Sequence, residues 1–326
     1  MAGMERLREY RRGAEWALAA ATAVELGLVD ALGGGPRPIP ELAGELGVSV
    51  RGVRMLVGAL EALGAVREDE DGIRLTGAAR ARLLDRSAPD YERDSLLQWL
   101  AGIRRWATDL PRAVTEGTPA EEGGPAAGAP DEASLERFMA AMDNKDPALV
   151  RAVVDTCLAV VPGAESALDV GGGPGTFTRA FAARGLQCAL FDRPEILSHV
   201  GPKYGLDANP SVRLLAGDFL SDTPEGEYDI VLLANIAHIY APDENRGLVR
   251  RLAGTLRPGG ALALLDFVRG EGDGFAALFA ITMLLHTQTG DTYDLSALES
   301  WLRAADLGRI RCHPLPGDAR LVTGVR

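Results

Sequence analysis

The chain has 326 residues, of which 47% are apolar and 25% are charged, a composition typical of a globular protein large enough for two domains. A formal net charge of −12 argues against nucleic acids as partners, because their phosphates are also negative. Apolar runs are too short to span a membrane, residues 1–12 lack the apolar stretch of a signal peptide, and three scattered cysteines favour neither a disulfide framework nor a zinc site. We therefore expect a cytoplasmic protein with no metal and no membrane partner.

The first third of the chain has the pattern of a winged helix. Small and apolar residues recur at helical spacing over residues 15–32. Two further amphipathic helices are predicted over 40–46 and 50–63, the second with Ser49 as its N-cap. A short hairpin follows over residues 65–75, which completes the helices-then-hairpin order of that module.

Winged helices often bind DNA, so a regulator with a ligand-sensing domain is one alternative for residues 1–110. The charges of the module argue against it. Arg51 and Arg54 lie on the helix that would enter the groove, but the wing, residues 67–71, carries four acidic side chains that would repel phosphates. We therefore interpret residues 1–110 as a scaffold domain.

The middle of the chain connects this domain to a second one. Residues 116–132 are rich in Pro, Gly, Ala and Glu and show no periodicity, which is typical of a flexible connection. Residues 135–158 then predict a helix. We predict a linker with connecting helices over 111–160 and a second domain over 161–326.

The most informative segment is 167–175, with the sequence ALDVGGGPG. A strand over Ser166–Val170 contains an acidic residue and leads into a glycine cluster, and a helix is predicted over 176–184. Three consecutive glycines let the backbone approach a ligand closely, and the helix N-terminus offers free N–H groups. The first parallel strand of a nucleotide-binding sheet typically has this form.

Strands and helices alternate after the glycine loop. Strands are predicted over 187–191, 212–215, Tyr228–Ala234 and 261–267, with a helix over 243–256 before the last of them. This alternation predicts an α/β fold with a doubly wound, mostly parallel, Rossmann-like sheet.

Polar residues mark the carboxyl ends of the predicted strands, where such sheets bind ligands. Asp192 follows Gly171 by 21 residues, the separation at which a nucleoside site places a carboxylate on the ribose hydroxyls. Asp218 and Phe219 suit an adenine, because the acid accepts from the exocyclic amine and the ring stacks. The other members of this set are Asp169, His238 and Asp266.

Together, these motifs resemble those of the S-adenosylmethionine-dependent O-methyltransferases of the plant caffeate type and their bacterial natural-product relatives. The resemblance covers nearly the whole chain. Its segments are 168–175 (LDVGGGPG), 217–219 (GDF), 233–238 (LANIAH) and 256–260 (LRPGG). It implies that the N-terminal domain forms a homodimer and that residues 161–326 are the catalytic domain.

The resemblance also implies where S-adenosylmethionine and its product S-adenosylhomocysteine bind. The glycine loop would lie beside the methionine moiety, Asp192 at the ribose, and Asp218 with Phe219 at the adenine. The cofactor-binding residues expected on this basis are Asp169, Gly171, Gly172, Gly173, Asp192, Arg193, Gly217, Asp218, Phe219 and Asn235.

Methyl transfer to a hydroxyl requires the acceptor to be held close to the methyl group and its proton to be removed. In the resembled family a histidine at the position of His238 removes the proton, and an acid at the end of the next strand supports it. Asp266 stands at that position, where the plant enzymes have Glu. Two features depart from the family: Ile239 and Tyr240 replace its usual Asp-Trp, and its second acid has either Asp294 or no counterpart here.

We expect an acceptor pocket between the domains, lined by apolar and aromatic side chains. Phe138 and Met142 match the family's Phe-x-x-x-Met helix near the cofactor, and Phe279 and Met283 are spaced to share one helical face. Trp106 is the fifth candidate. Each of the five residues suits the protein core as well as it suits a pocket.

The sequence thus predicts an O-methyltransferase that acts on a phenolic or other hydroxyl of a small-molecule natural product, with His238 as general base. The alternative within the same family is a protein that binds S-adenosylmethionine but methylates nitrogen or carbon. Such a protein could also catalyse hydroxylation, decarboxylation or cyclisation instead.

Overall fold

The computed structural model describes residues 5–88, 90–119, 132–270 and 274–326. The chain divides into two compact units, Met1–Arg104 and Arg105–Arg326. The division falls inside one helix, Arg93–Glu116, which contributes residues to both units. Most of the predicted flexible connection over 116–132 lies outside the described ranges.

The first unit consists of helices and one β-hairpin. Its elements are α1 (Leu7–Glu25), α2 (Leu28–Ala31), a 3₁₀ turn (Leu32–Gly34), α3 (Ile39–Leu46), α4 (Val50–Ala62), β1 (Val66–Asp69), β2 (Gly72–Leu75), α5 (Gly77–Leu84) and the start of α6 (Arg93–Glu116). The hairpin is antiparallel, with Val66 opposite Leu75, as predicted. The predicted cap is also confirmed, because the hydroxyl of Ser49 accepts from the backbone N–H of Gly52 at 3.0 Å.

The prediction of one helix over residues 15–32 was wrong at both ends. Helix α1 starts at Leu7, and its first turns are exposed and mostly charged, so their few apolar residues do not show a helical repeat. Ion pairs such as Arg11 with Glu15, at 3.7 Å, join neighbouring turns there. The helix ends at Glu25, and the short helix α2 follows it.

The core of the first unit is apolar and lies between the helices and the hairpin. Its fully buried members include Leu28, Leu32, Leu42 and Ile73. Burial of side chains of this size stabilises a fold by roughly 1.5–3 kcal/mol each.

The second unit has a seven-stranded sheet flanked by helices. Its elements are the remainder of α6, α7 (Glu132–Asp143), α8 (Pro147–Val160), β3 (Ser166–Val170), α9 (Thr176–Ala182), β4 (Gln187–Asp192), α10 (Pro194–Lys203), β5 (Val212–Ala216), β6 (Tyr228–Ala234), a 3₁₀ turn (Ala237–Ile239), α11 (Pro242–Gly254), β7 (Leu256–Phe267), α12 (Phe275–His286), α13 (Leu295–Ala304), β8 (Gly308–Pro314) and β9 (Ala319–Val325).

The single helix predicted over residues 135–158 is interrupted. Helix α7 ends at Asp143, and α8 begins at Pro147. Pro147 cannot donate a backbone hydrogen bond to a preceding turn, and the carboxylate of Asp146 accepts from the N–H of Ala148 at 2.8 Å. These two residues end one helix and cap the next.

The sheet has the predicted doubly wound, mostly parallel form. Its strand order is β5-β4-β3-β6-β7-β9-β8. The five strands from β5 to β7 are parallel, whereas β9 runs antiparallel to both β7 and β8. The chain therefore leaves β3 in one direction to form β4 and returns past β3 to form β6, which opens a crevice at the carboxyl ends of β3 and β6.

Alternate strand residues face two helical layers. On one face, Leu168, Val231 and Leu262 pack with residues of α11 and α13, including the fully buried Trp301. On the other face, residues such as Ile230 pack with α8 and α9. Both faces are covered, as expected for a parallel sheet.

Within the described ranges, no single helix is long and apolar enough to cross a membrane. Two consecutive helices, Leu7–Glu25 and Leu28–Gly34, reach that length and composition only together, with a bend of 64° between them.

Candidate active site

The strand register brings the predicted site residues to one edge of the sheet. Val170, near the end of β3, pairs with Phe191 on one side and Leu233 on the other. Ala234 in turn pairs with Leu265. The residues that follow these positions therefore lie side by side, namely the glycine loop, Asp192, Asn235 and Asp266.

Asp169 is buried beneath the glycine loop. Its Oδ2 accepts from the N–H and the hydroxyl of Thr178, at 3.1 and 2.7 Å, whereas its Oδ1 is buried and has no hydrogen-bond partner among the described residues. Burial raises the pKa of Asp169 to about 6. A Cβ at Gly172 would lie 2.5 Å from Oδ2 of Asp169, so only glycine fits above this carboxylate.

Asp192 closes β4 and is held by the backbone. Its Oδ2 accepts from the N–H of Gly173 at 3.0 Å, and its Oδ1 accepts from the N–H of Arg193 at 2.8 Å. Burial raises the pKa of Asp192, although both backbone bonds oppose the shift. The carboxylate is thus oriented before any ligand binds, and its remaining lone pairs are available as acceptors.

Asp218 and Phe219 follow Gly217 at the end of β5. Asp218 is exposed, and its Oδ1 accepts from the N–H of Leu220 at 2.9 Å. Phe219 is buried and meets the ring of Tyr240 edge to face, with centroids 6.0 Å apart. Burial and the charge of Asp218 raise the pKa of Tyr240 to about 12, so its phenol stays a hydrogen-bond donor.

Asn235 follows β6 directly and adopts a left-handed conformation, with φ of +58°. Its N–H donates to the carbonyl of Leu265 at 2.8 Å. A non-glycine residue in this region costs about 1–3 kcal/mol, and such residues cluster at functional sites. The turn at Asn235 ends β6 and directs the chain into the 3₁₀ turn that carries His238.

His238 and Asp266 form a buried pair. The imidazole Nδ1 is 2.8 Å from Oδ1 of Asp266, and the backbone N–H of His238 donates to Oδ2 of the same carboxylate at 3.1 Å. Oδ1 also accepts from the N–H of Phe267 at 2.8 Å. Because an ionised carboxylate only accepts, Nδ1 carries the hydrogen and Nε2 keeps a free lone pair.

Three residues that the sequence analysis missed support the turn around His238. Asn245, fully buried in α11, donates its amide hydrogens to the carbonyls of Ala237 and Tyr240 at 2.8 and 2.9 Å. The hydroxyl of Tyr293 donates to the carbonyl of Tyr240 as well. At Gly290, a Cβ would be 2.4 Å from the carbonyl oxygen of His238. No local pattern links these positions to His238.

The five residues predicted to line the pocket for the methyl acceptor lie in different surroundings. Phe279 meets the ring of His238 edge to face, with centroids 4.8 Å apart, and Met283 is buried one turn further along α12. Phe138 packs instead against the apolar cluster between α7 and α10. Met142 and Trp106 are half-buried on α7 and α6.

Asp294 caps α13. Its Oδ1 accepts from the N–H of Ala297 and the hydroxyl of Ser296, at 2.8 and 2.7 Å, and these bonds lower its pKa. The side chain therefore already has a structural role at a helix N-terminus.

A polar pair lies at the end of α12. Nη1 of Arg105 is 3.2 Å from Nδ1 of His286, and Asp109 lies 3.5 Å from Nε of the same arginine. Arginine cannot accept a hydrogen bond, so Nδ1 of His286 accepts and the ring is neutral. Burial and the charge of Arg105 accordingly lower the pKa of His286 to about 4.

Comparison with known proteins places this chain in a family. Residues 118–304 match the family model described as an O-methyltransferase domain. The tetracenomycin polyketide synthesis 8-O-methyl transferase TcmO of Streptomyces glaucescens is 30% identical over 323 residues, covering 93% of this chain and 91% of that protein.

Solved structures agree with this result. The mitomycin 7-O-methyltransferase MmcR superimposes with a TM-score of 0.77 at 26% identity, covering 100% of this chain and 98% of that one. Human N-acetylserotonin methyltransferase, solved in complex with S-adenosylmethionine, shares the fold with a TM-score of 0.83 at 21% identity, covering 100% and 98%. The chain therefore belongs to the family of S-adenosylmethionine-dependent O-methyltransferases.

Proposed function

We propose that this enzyme methylates a phenolic hydroxyl of a polyketide-type small molecule, with His238 as general base and Asp266 as its support. The observation that carries the proposal is the buried pair of His238 and Asp266, 2.8 Å apart at the sheet edge that also holds the glycine loop. The O-methyltransferase names of the relatives favour this activity over N- or C-methylation and over reactions without methyl transfer.

The residues around the glycine loop suit S-adenosylmethionine. The buried Oδ1 of Asp169 is an acceptor without a partner in the described part of the chain, and Asp192 is oriented with lone pairs to spare. We assign Asp192 to the ribose, Asp218 and Phe219 to the adenine, and Gly171, Gly172 and Gly173 to the methionine moiety. When bound, the cofactor supplies a methyl group activated by a positively charged sulfur.

His238 moves the acceptor's proton. The hydroxyl hydrogen passes to Nε2, and the acceptor oxygen keeps the electron pair with which it attacks. Nδ1–H stays bonded to the Asp266 carboxylate, which stabilises the positive ring that results. The backbone bond from His238 to the same carboxylate holds the turn that carries the ring.

The acceptor side of the site is apolar. Phe279 contacts His238, and Phe267 lies 4.7 Å from Phe279 between ring centroids. An apolar lining of aromatic rings favours an aromatic ligand over a polar one. We assign Phe279 and Met283 to the acceptor pocket, with Trp106, Phe138 and Met142 as further candidates.

We also propose that the first unit is a winged helix that forms a homodimer. Apolar side chains on the surface of α1 support this proposal, because a partner would cover them; they include Leu7, Tyr10, Leu18 and Leu26 at its C-terminal end. Sedimentation should show a dimer at micromolar concentration that Tyr10→Glu weakens. A monomer at that concentration would contradict the proposal.

We propose that the protein resides in the cytoplasm, because its cysteines are not paired in disulfides. Within the described residues Cys157, Cys188 and Cys312 form no disulfide; the first two are buried and the third is partly exposed. Free thiols persist in a reducing compartment.

The direct test of the activity is a screen of phenols and polyketide aglycones with S-adenosylmethionine. We expect one acceptor to yield S-adenosylhomocysteine and a methyl ether in equal amounts. Formation of an N- or C-methylated product, or cofactor binding without methyl transfer to any acceptor, would refute the proposed reaction.

A further inference from the structure

The junction between α7 and α8 is tied to the glycine loop. Asp143, the last residue of α7, accepts from the hydroxyl of Thr176 at 2.6 Å and from the guanidinium of Arg179. Thr176 and Arg179 belong to α9, which starts directly after the loop. In the same region, the sulfur of Met139 lies 3.5 Å from the position of a Cβ on Gly173. The junction therefore lies against the loop.

Lys145 lies in this junction. Its Nζ donates to the carbonyl of Met142 at 2.6 Å, which uses one of its three hydrogens. Burial lowers the pKa of Lys145, and the negative charges of Asp169 and Asp143 act against this shift. Lys145 is only partly exposed, and an ammonium group that has lost part of its hydration needs compensating partners.

Lys145 and Asp169 carry opposite charges, but no hydrogen bond joins their side chains among the described residues. The charge of Lys145 favours the ionised form of Asp169, yet Oδ1 of Asp169 has no hydrogen-bond partner among the described residues. A buried anion beside a partly buried cation is costly for the empty protein when, as among the described residues here, no bond joins the two groups. A ligand end that carries both charges would complement both groups.

We propose that Lys145 binds the carboxylate of the cofactor's amino-acid end, and that Asp169 receives its ammonium group. The inference rests on the proposed cofactor site and adds a residue from outside the sheet. Lys145 would act by binding and positioning alone, because the amino-acid end takes no part in the reaction.

The first test compares two ligands that differ in the amino-acid end. S-adenosylhomocysteine has it, and 5′-methylthioadenosine lacks it. Calorimetry with Lys145→Met should show affinity for S-adenosylhomocysteine reduced roughly 10- to 100-fold, the value of one charged hydrogen bond. Affinity for 5′-methylthioadenosine should stay unchanged.

The chain offers one matched control, because Lys203 is its only other lysine. Nζ of Lys203, on α10, is 2.5 Å from Oε1 of Glu136, on α7. Lys203→Met should leave the affinity for both ligands unchanged. Equal loss of both ligands in Lys145→Met, or no loss of either, would overturn the inference while leaving the proposed cofactor site intact. Failure of the wild-type protein to bind either ligand would overturn the proposed site and the inference together.

A second test uses the wild-type protein and does not depend on the folding of a variant. Limited acetylation followed by peptide mass spectrometry reports the reaction rate of each lysine. S-adenosylhomocysteine should slow the acetylation of Lys145 but not of Lys203, and 5′-methylthioadenosine should slow neither. Equal protection of Lys145 by both ligands, or protection by neither, would overturn the inference.

Discussion

Asp266 holds His238 at two points, through the imidazole Nδ1 at 2.8 Å and through the backbone N–H at 3.1 Å. A single carboxylate thus fixes both the tautomer of the ring and the turn that carries it. His238→Gln is expected to lower turnover about 10²–10⁴-fold, the usual contribution of a positioned base. Affinity for S-adenosylhomocysteine, measured by calorimetry, should stay nearly unchanged.

His313→Gln is the matched control, because His313 contacts Thr323 at 2.9 Å on β8 and β9 and should keep full turnover. Asp266→Asn should also lower turnover, since a neutral amide stabilises a charged ring less. The assay needs an acceptor whose hydroxyl is un-ionised at the assay pH. Near-native turnover of His238→Gln on such an acceptor would remove the histidine from the reaction and leave positioning alone as the mechanism.

Gly290→Ala tests the support of the histidine turn. The added methyl group would approach the carbonyl oxygen of His238 to 2.4 Å, so the turn or the loop must move. A misplacement of about 1 Å at a reacting group can cost on the order of 10²-fold in rate, and we expect a loss of that order. Initial-rate measurements should show it in turnover, with cofactor affinity retained.

Gly254→Ala is the control for this substitution, because a Cβ there meets nothing within 4 Å at the end of α11. It should leave turnover unchanged. Unchanged turnover in Gly290→Ala as well would show that the turn adapts and that its exact position matters little.

Asp192→Ala tests the ribose contact. The variant loses the acceptors for a ligand's hydroxyls, which weakens binding by about 1.5–3 kcal/mol per charged hydrogen bond at most. Both S-adenosylhomocysteine and 5′-methylthioadenosine should be affected, because both contain the ribose. Lys145→Met, by contrast, is expected to weaken binding of S-adenosylhomocysteine only, because 5′-methylthioadenosine lacks the amino-acid end.

Asp243→Ala, which removes an exposed carboxylate whose side chain is 88% accessible, serves as the control in the same titrations. Wild-type affinity in Asp192→Ala would exclude this carboxylate from the site.

His286 should make stability depend on pH. Its pKa is lowered from 6.5 to about 4 in the folded chain, by burial and by Arg105, with Asp109 opposing. The unfolded chain therefore binds more protons between these values, so the free energy of unfolding falls as pH falls from about 6.5 to about 4. The shift corresponds to at most about 3.4 kcal/mol, and solvent screening of the half-buried ring reduces this to about 1–2 kcal/mol.

Denaturant unfolding at several pH values can measure this effect. His286→Gln should lose less stability than the wild type between pH values of about 6.5 and 4. Parallel curves for the two proteins would show that the ring does not titrate across this range.

Local pattern was sufficient to predict the sheet and to single out His238 and Asp266. The alternation of strands and helices predicted the doubly wound fold, because each strand and its turn are determined by residues close together in the chain. The segments around the glycine loop and His238 carried the family resemblance, and the family model and relatives confirmed it. The roles assigned to individual site residues stay predictions.

The tertiary structure decided which other residues serve the site. Asn245, Tyr293 and Gly290 support the turn around His238 from α11 and from the segment after α12. Asp143, at the break between α7 and α8, bonds to the helix that follows the glycine loop. These contacts join residues that are distant in sequence, and none follows from periodicity or a motif. The sequence alone thus determined the sheet and the position of His238 at its edge, whereas the packing of helices around the sheet decided how that histidine is held, because packing depends on side chains that meet only after folding.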